Sequence, residues 1–188
     1  MKSALIVSSS DEMLENISLV AKEYGIDSVS VSDGVDTRTL FEHNAYDVVI
    51  LNLPLKTEAG LELVAYITKK SKSSVIVLVP LKLYDEAYKK IGFTGAYILA
   101  RPINKQIIIQ ALRFVMDVRT KEAALNDTIS DLENKLYDAK LIDRAKCVLI
   151  QYLRITEAEA HRQIQKRAMD QRASLASVAQ DILRTYEM

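Results

Sequence analysis

The first part of the chain alternates short apolar runs with helical patterns. The runs are ALIV at 4–7, SVSV at 28–31, VVIL ending at residue 51, VIVLV at 75–79 and AYIL at 96–99. Between them, apolar residues recur at spacings of three and four, as in Leu14, Ile17 and Ala21, which is the period of an amphipathic helix. Apolar strands of this kind are covered on both faces, so the pattern predicts an α/β domain with a doubly wound, five-stranded parallel sheet over residues 1–117. Ser9 and Glu12 have the spacing of a capping box that opens the first helix.

The pattern changes after residue 117, where glycine, proline and strand-like runs are absent. An apolar stripe then repeats at alternating spacings of four and three, through Val118, Glu122, Leu125, Ile129, Leu132, Leu136 and Ala139. This is the a/d spacing of a coiled coil, with Glu122 as its one exception, and it predicts a dimerisation helix over residues 118–140. The alternative is a helix that packs back on its own domain, for which the stripe is narrow.

Residues 141–188 carry three shorter helical stripes. The first continues the long helix to about residue 153. Thr156 and Glu159 have capping-box spacing and predict the start of a second helix, and Ser174 can cap a third. Helices with such small apolar faces fold as a bundle, so we expect a small all-α three-helix bundle at this end.

Overall composition bears on the cellular compartment of the protein and on its kinds of partner. The 25 basic and 25 acidic residues cancel, so net charge gives no reason to expect a nucleic acid or a membrane as partner. Cys147 is the only cysteine, which excludes an intrachain disulfide and suits a reducing cytoplasm. No apolar run approaches the roughly 20 residues that span a bilayer. We therefore expect a cytoplasmic protein with no membrane partner.

Five residues stand at the predicted carboxyl ends of the strands, where doubly wound sheets hold their ligands. They are Ser8 and Ser9 after the first strand, Asn52 after the third, Val79 after the fourth and Arg101 after the fifth. This layout resembles the receiver domain of bacterial response regulators, which has a flavodoxin-like sheet. Receivers carry an acidic pair, a phosphoaccepting aspartate, a threonine or serine, and a lysine at the matching positions.

Every one of these positions departs from the receiver pattern. Two serines and an amide carry no charge to offset the dehydration of Mg²⁺, and an amide does not replace a carboxylate as a nucleophile. The comparison predicts a pseudo-receiver with no catalytic residue, no metal and no cofactor. Asn52 either forms hydrogen bonds within the former pocket or is an ordinary satisfied polar residue. We interpret Asp11 as stabilising the first helical turn through its charge, rather than as a remnant metal ligand.

A second resemblance covers the C-terminal helices. Residues 141–183 resemble the ANTAR family, the RNA-binding output module of AmiR and NasR type transcription antiterminators. The residues that carry this resemblance are Ala145, Lys146, Thr156, Glu157, Ala158, Ala160, Ala168, Met169, Leu175, Val178, Ala179 and Ile182. Cys147 and Arg154 stand where the family often has glycine, and His161 stands where an aromatic residue is usual. The resemblance implies binding to paired RNA hairpins by a dimer, since two linked modules raise the effective concentration.

Local charge agrees with an RNA partner. Seven basic and three acidic residues lie between residues 144 and 172. The candidate RNA-binding residues are Arg144, Lys146, His161, Arg162, Gln165, Lys166 and Arg167. They would neutralise phosphates and reach unpaired loop bases. For any single one of them, a solvated helix face is the alternative. Lys146 lies at the edge of an apolar stripe, so packing of its stem explains it equally well.

The function expected from these features is a phosphorylation-independent transcription antiterminator. It would bind hairpin RNA in a leader transcript as a homodimer, and a regulatory protein or ligand at the pseudo-receiver would control it. The alternative is a protein-interaction adaptor, in which the pseudo-receiver binds a partner and the helical tail only dimerises. An enzyme is not expected, because there is no glycine-rich phosphate loop and no pair of carboxylates at the strand ends. A relocated phosphorylation site at Asp47 or Asp11 is geometrically unfavourable.

Overall fold

The structure, a computed structural model, describes residues 2–56 and 60–186. Residues 187 and 188, the end of the predicted helical bundle, lie outside the described residues. The chain divides into two compact units, Met1–Glu122 and Ala123–Met188. Within the described residues, no helix is both long enough and apolar enough to cross a membrane.

The first unit alternates strands and helices. Its strands are β1 (Lys2–Ser8), β2 (Ile26–Val31), β3 (Val48–Asn52), β4 (Ser74–Pro80) and β5 (Tyr97–Arg101). Its helices are α1 (Asp11–Glu23), α2 (Gly34–His43), α3 (Leu61–Lys70), α4 (Tyr84–Ile91) and the beginning of α5 (Lys105–Leu153). The strands form one parallel sheet in the order β2-β1-β3-β4-β5. This order is that of a flavodoxin-like doubly wound fold, and it confirms the predicted fold class.

Alternation along the strands gives the sheet two apolar faces. On β1, Leu5 and Val7 pack into the layer formed by α2, α3 and α4, whereas Ala4 and Ile6 pack into the layer formed by α1 and α5. Successive side chains of a strand point to opposite faces, so each strand contributes to both layers. The runs of the three central strands β1, β3 and β4 are therefore apolar, as strands covered on both faces require, whereas the edge strand β2 alternates serine and valine and is largely exposed.

The predicted capping box at Ser9 and Glu12 is wrong. Ser10 is the N-cap of α1, and its hydroxyl accepts a hydrogen bond from the Met13 N–H at 3.4 Å. The Ser9 hydroxyl has other partners, since it accepts from the Lys56 N–H at 2.8 Å and donates to the Ser32 carbonyl at 3.2 Å. Ser9 therefore links neighbouring loops instead of starting the helix.

Helix α5 is 49 residues long and continuous. It contains no glycine or proline that would interrupt it. The boundaries predicted at residues 117 and 140 fall inside this helix, so no break in helical structure separates the proposed dimerisation segment from its neighbours. Five large apolar side chains of the a/d stripe are between 37% and 62% exposed. These are Val118, Leu125, Ile129, Leu132 and Leu136, and we call them the seam.

The second unit packs the end of α5 against α6 (Glu157–Gln171) and α7 (Leu175–Tyr186). Its core includes Ala145 and Leu149 from α5, Ile164 from α6 and Ile182 from α7. The capping box predicted for Thr156 and Glu159 is confirmed. The Ser174 hydroxyl accepts a hydrogen bond from the Ser177 N–H at 3.1 Å, as expected for the cap of α7.

Candidate functional site

The five residues predicted at the strand ends lie along one edge of the sheet. Ser8 and Asn52 are register partners on β1 and β3, and Arg101 pairs with Pro80 across β4 and β5. Ser8, Asn52 and Val79 are buried, while Ser9 and Arg101 are partly exposed. Parallel strands place their carboxyl ends together, which is why the sequence order alone located this cluster.

Ser8 and Asn52 form a buried polar pair. The Asn52 Nδ2 donates to the Ser8 Oγ at 2.9 Å. The Ser8 Oγ also accepts from the Ser10 N–H at 3.1 Å and donates to the Ser10 carbonyl at 3.3 Å. The Asn52 Oδ1 is buried and has no hydrogen-bond partner among the described residues. Asn52 is thus tied to β1 through its nitrogen and offers one free acceptor oxygen at the strand ends.

Arg101 is anchored to the backbone that follows Asn52. Its Nη2 donates to the Leu53 carbonyl at 2.8 Å, although β4 lies between β5 and β3 in the sheet. Its Nε is buried and unpartnered among the described residues. The guanidinium of Arg101 therefore donates its hydrogen bond to a neutral carbonyl, at the position where the lysine of a receiver lies beside acidic residues.

These residues do not fit a Mg²⁺ site. The hydroxyls of Ser8 and Ser9 are already engaged in hydrogen bonds, which leaves the Asn52 Oδ1 as one neutral ligand. Mg²⁺ holds its water tightly and is bound through carboxylates that compensate for dehydration. Within residues 2–56 and 60–186, no group of three or more histidine, cysteine, aspartate or glutamate side chains could hold a metal ion.

A cavity of about 590 Å³ lies away from the strand-end cluster. It is lined by residues that precede β3 and β4, by the ends of α2 and α3, and by Arg119 of α5. Arg119 forms an ion pair with Asp47 at 3.0 Å and donates to the Lys72 carbonyl at 2.8 Å. Sequence reasoning missed this cavity, because no motif marks the amino ends of strands.

The candidate residues on α5 differ in their surroundings. Arg144 is exposed, whereas the side chain of Lys146 is only 16% exposed. The Lys146 ammonium lies 2.7 Å from Asp143 and 2.9 Å from Glu157, so it links α5 to α6. Hydrogen bonds to these two carboxylates raise the pKa of Lys146 to about 12. Its charge is therefore locally compensated.

The candidates on α6 lie on different sides of the helix. Arg162, Gln165, Lys166 and Arg167 are exposed. A spacing of four places Arg162 and Lys166 on one face, but Arg167 projects about 100° further round the helix than Lys166. His161 is half-buried, and its Nδ1 has no partner among the described residues. Helical spacing therefore groups Arg162 with Lys166 and directs Arg167 to another side of α6.

Four residues outside the predicted set stand out in the second unit. Arg154 and Arg172 follow α5 and α6 with φ values of 55° and 50°, in the left-handed region that favours glycine. The rings of Tyr152 and Tyr186 lie 5.2 Å apart at the ends of α5 and α7. The sequence marks Arg154 as unusual, because the resembled family often has glycine at this position. It does not mark the tyrosine pair, because both tyrosines continue apolar stripes of their helices.

Residues 4–113 match the family described as the response regulator receiver domain. The chain belongs to the response regulator receiver family. Residues 130–183 match the ANTAR domain. Both resemblances stated from the sequence are thereby confirmed, and this response regulator carries a C-terminal ANTAR domain.

One relative of this response regulator is "Transcriptional regulatory protein PdtaR" from Mycobacterium tuberculosis (strain CDC 1551 / Oshkosh). It is 26% identical over 183 residues, which cover 96% of this chain and 89% of that protein. A receiver domain from Methanospirillum hungatei JF-1 superposes with a TM-score of 0.59 and 17% identity over 65% of this chain and 98% of that one. A receiver domain from Methylobacillus flagellatus gives a TM-score of 0.55 and 21% identity over 61% and 98%. The two structural matches establish the fold alone.

Proposed function

We propose that this response regulator is a cytoplasmic transcription antiterminator whose ANTAR domain binds hairpin RNA in leader transcripts. The observation that carries the proposal is the ANTAR match over residues 130–183, in which α6 presents Arg162 and Lys166 together on an exposed face. Two cations at this spacing suit adjacent phosphates of an RNA backbone. Lys146 is assigned a different role, since its two carboxylate partners already compensate its charge.

The protein acts as a homodimer in this proposal. The seam exposes five large apolar side chains along one helix, at the spacing of a coiled coil. A second copy of the same helix would bury them. Two ANTAR domains held by one coiled coil would engage two neighbouring hairpins, and the second contact would benefit from a high effective concentration.

Control by this protein does not use phosphorylation in our proposal. The support is chemical: Asn52 replaces the phosphoaccepting aspartate, and the surrounding hydroxyls provide no anionic ligand for Mg²⁺. Incubation with acetyl phosphate and Mg²⁺, followed by intact mass measurement, should leave the mass unchanged. An added phosphoryl group on residues 1–122 would contradict this part of the proposal.

Input would instead come from a partner protein or a small ligand at the receiver. The cavity of about 590 Å³ is a candidate place for it, because its wall includes Arg119 of α5. Arg119 directly follows Val118, the first residue of the seam. A ligand that disturbs the pairing of Arg119 with Asp47 would therefore act on the helix that carries the dimer contact.

The experiment that tests RNA binding is a titration with an RNA carrying two adjacent hairpins, read by fluorescence anisotropy at several salt concentrations. The double variant Arg162→Ala, Lys166→Ala should bind more weakly. Its plot of log affinity against log salt concentration should be shallower by about 1.4–1.8, the slope lost with two phosphate contacts. The control Lys69→Ala, Lys89→Ala removes two exposed cations from the first unit and should behave as wild type. Equal loss in both variants, or no binding by wild type, would refute the proposal.

A second candidate function, an adaptor that holds a protein partner, is favoured by exposed aromatic residues of the first unit. Phe93 is 83% exposed and Tyr88 is 60% exposed, while the Tyr97 and Phe114 rings pack 5.2 Å apart on the surface. Exposed apolar groups of this size are typical of protein-binding surfaces. The adaptor function predicts a dimer whose affinity for RNA does not exceed that of an unrelated receiver protein without an ANTAR domain.

A further inference from the structure

One end of the second unit presents an aromatic ring to solvent. Tyr152 lies in the last turn of α5 and is 59% exposed, although it continues an apolar stripe. Its ring packs against Tyr186 of α7 with centroids 5.2 Å apart and planes inclined by 46°. The partner ring supports Tyr152 from one side, and much of its surface is left accessible. This is the geometry of a supported stacking platform.

Two residues further on, Arg154 adopts a conformation that is costly for it. Its φ is 55°, and its N–H donates to the Ile150 carbonyl at 3.0 Å to end the helix. Glycine fits such a position without strain, whereas an L-residue with a Cβ does not. A basic side chain at a position inside the last helical turn would interact as favourably with the helix dipole, and its backbone would not be strained. The Arg154 side chain is exposed and forms no ion pair within the described residues, so its charge is available to a ligand.

The carboxylates at the beginning of α6 are already engaged. Glu157 pairs with Lys146 at 2.9 Å, and Glu159 accepts hydrogen bonds from the N–H and hydroxyl of Thr156, both at 2.8 Å. The acidic groups nearest to Arg154 in the sequence are therefore occupied. An anion that approaches Arg154 meets a cation with no ion-pair partner among the described residues, two positions after the exposed Tyr152 in the chain.

We infer that Tyr152 and Arg154 hold one unpaired nucleobase of the bound RNA and its phosphate. The base stacks on the Tyr152 ring, and Arg154 neutralises the adjoining phosphate. Proteins that recognise RNA loops stack splayed-out bases on aromatic side chains and neutralise the backbone beside them. A paired base in a duplex offers no free face, so this site selects the loop of a hairpin over its stem. This inference rests on the RNA-binding function proposed above.

The direct test uses the absence of tryptophan from this chain. Tyr152→Trp provides a single fluorophore at the platform, and Tyr88→Trp provides a matched control on the first unit at nearly the same exposure. The two-hairpin RNA should quench the emission of Tyr152→Trp and leave Tyr88→Trp unchanged, and a blunt RNA duplex should quench neither. Binding of the hairpin RNA without quenching would overturn the inference. Quenching that depends on protein concentration and not on added RNA would also overturn the inference, because it would indicate a contact between two copies of the chain.

Affinity measurements give a second readout. Tyr152→Ala should weaken binding of the two-hairpin RNA by at least about fivefold, the lower range for loss of one stacked base. Tyr152→Phe keeps the ring and should bind as wild type. Circular dichroism should show the same helix content in both variants. Equal affinity of Tyr152→Ala and Tyr152→Phe would contradict the stacking role.

Arg154→Gly separates a binding role from a structural one. The substitution relieves backbone strain, so the protein should resist urea better while its RNA affinity falls. Arg172→Gly is the matched control, since it relieves the same strain at the end of α6, away from the tyrosine pair. The loss of affinity should be larger for Arg154→Gly. Equal affinities of the two glycine variants would refute the site while RNA binding by wild type stands, whereas absence of RNA binding by wild type would refute the proposed function itself.

Discussion

Replacing Leu132 by alanine should weaken the proposed homodimer without disturbing the helix. Leu132 lies in the middle of the seam, and its side chain is 59% exposed in the single chain. Alanine has the highest intrinsic helix propensity, so the substitution keeps α5 helical while removing the apolar contact. The variant therefore reports on association alone.

The expected magnitude follows from the exposed fraction of the side chain. Complete burial of a leucine side chain stabilises by about 1.5–3 kcal/mol. Somewhat more than half of this side chain remains to be buried in the dimer, and alanine retains its Cβ. Each substituted protomer therefore removes about 1–1.5 kcal/mol from the free energy of association. A symmetric dimer loses this twice, about 2–3 kcal/mol, which raises the dissociation constant about 30- to 160-fold.

Sedimentation equilibrium over a dilution series measures this dissociation constant. Tyr137→Ala is the control, since Tyr137 is 60% exposed on the same helix but lies next to the a/d stripe rather than on it. It should leave the dissociation constant unchanged. Equal weakening of association by the two variants, or a wild-type protein that stays monomeric at every concentration, would contradict a dimer formed through the seam.

Four further substitutions test the stability of the two units. Gly25→Ala, at φ 66° in open space, should cost about 1–2 kcal/mol. Gly60→Ala should cost about 1–3 kcal/mol more, because its added Cβ would clash with the buried Leu53 side chain. Urea unfolding measures both. Thr156→Ala should cost about 1 kcal/mol in the second unit, by hydrogen exchange. Hydrogen bonds from Thr156 lower the pKa of Glu159 from its ordinary value of 4.5. The stabilisation that the ionised Glu159 gives to the folded second unit is therefore present above the ordinary pKa and is lost as the pH falls through the lowered pKa. Lys146→Met should cost about 0.2–1 kcal/mol and leave the salt dependence of RNA binding unchanged.

The fold could be predicted because its signals are local. Each apolar run is bounded by polar turns, and the period of the stripes distinguishes helices from strands. The capping box at Thr156 was predictable for the same reason, since both partners lie three residues apart. The error at Ser9 has the opposite cause: its hydroxyl bonds the N–H of Lys56, 47 residues away, and nothing near Ser9 in the sequence reveals that partner.

The candidate site was predictable only in part. Strand order places Ser8 beside Asn52, because parallel strands end at one edge. The pairing of Lys146 with Glu157 depends on how α6 returns along α5, which side-chain spacing does not specify. For Arg154, the family comparison marked a position where glycine is common, but the arginine itself gives no sign of a left-handed backbone, since glycine or asparagine is usual there.

Selection of ligands from a randomised RNA pool shows most directly whether this protein recognises paired hairpins, because the selection requires no knowledge of the target transcript. The unphosphorylated protein should enrich sequences that fold into adjacent pairs of hairpins, and the same unpaired loop bases should persist from one round of selection to the next. A parallel selection without protein gives the background. If the pool remains unenriched, or if the enriched sequences lack stem-loops, this response regulator is not a hairpin-binding antiterminator.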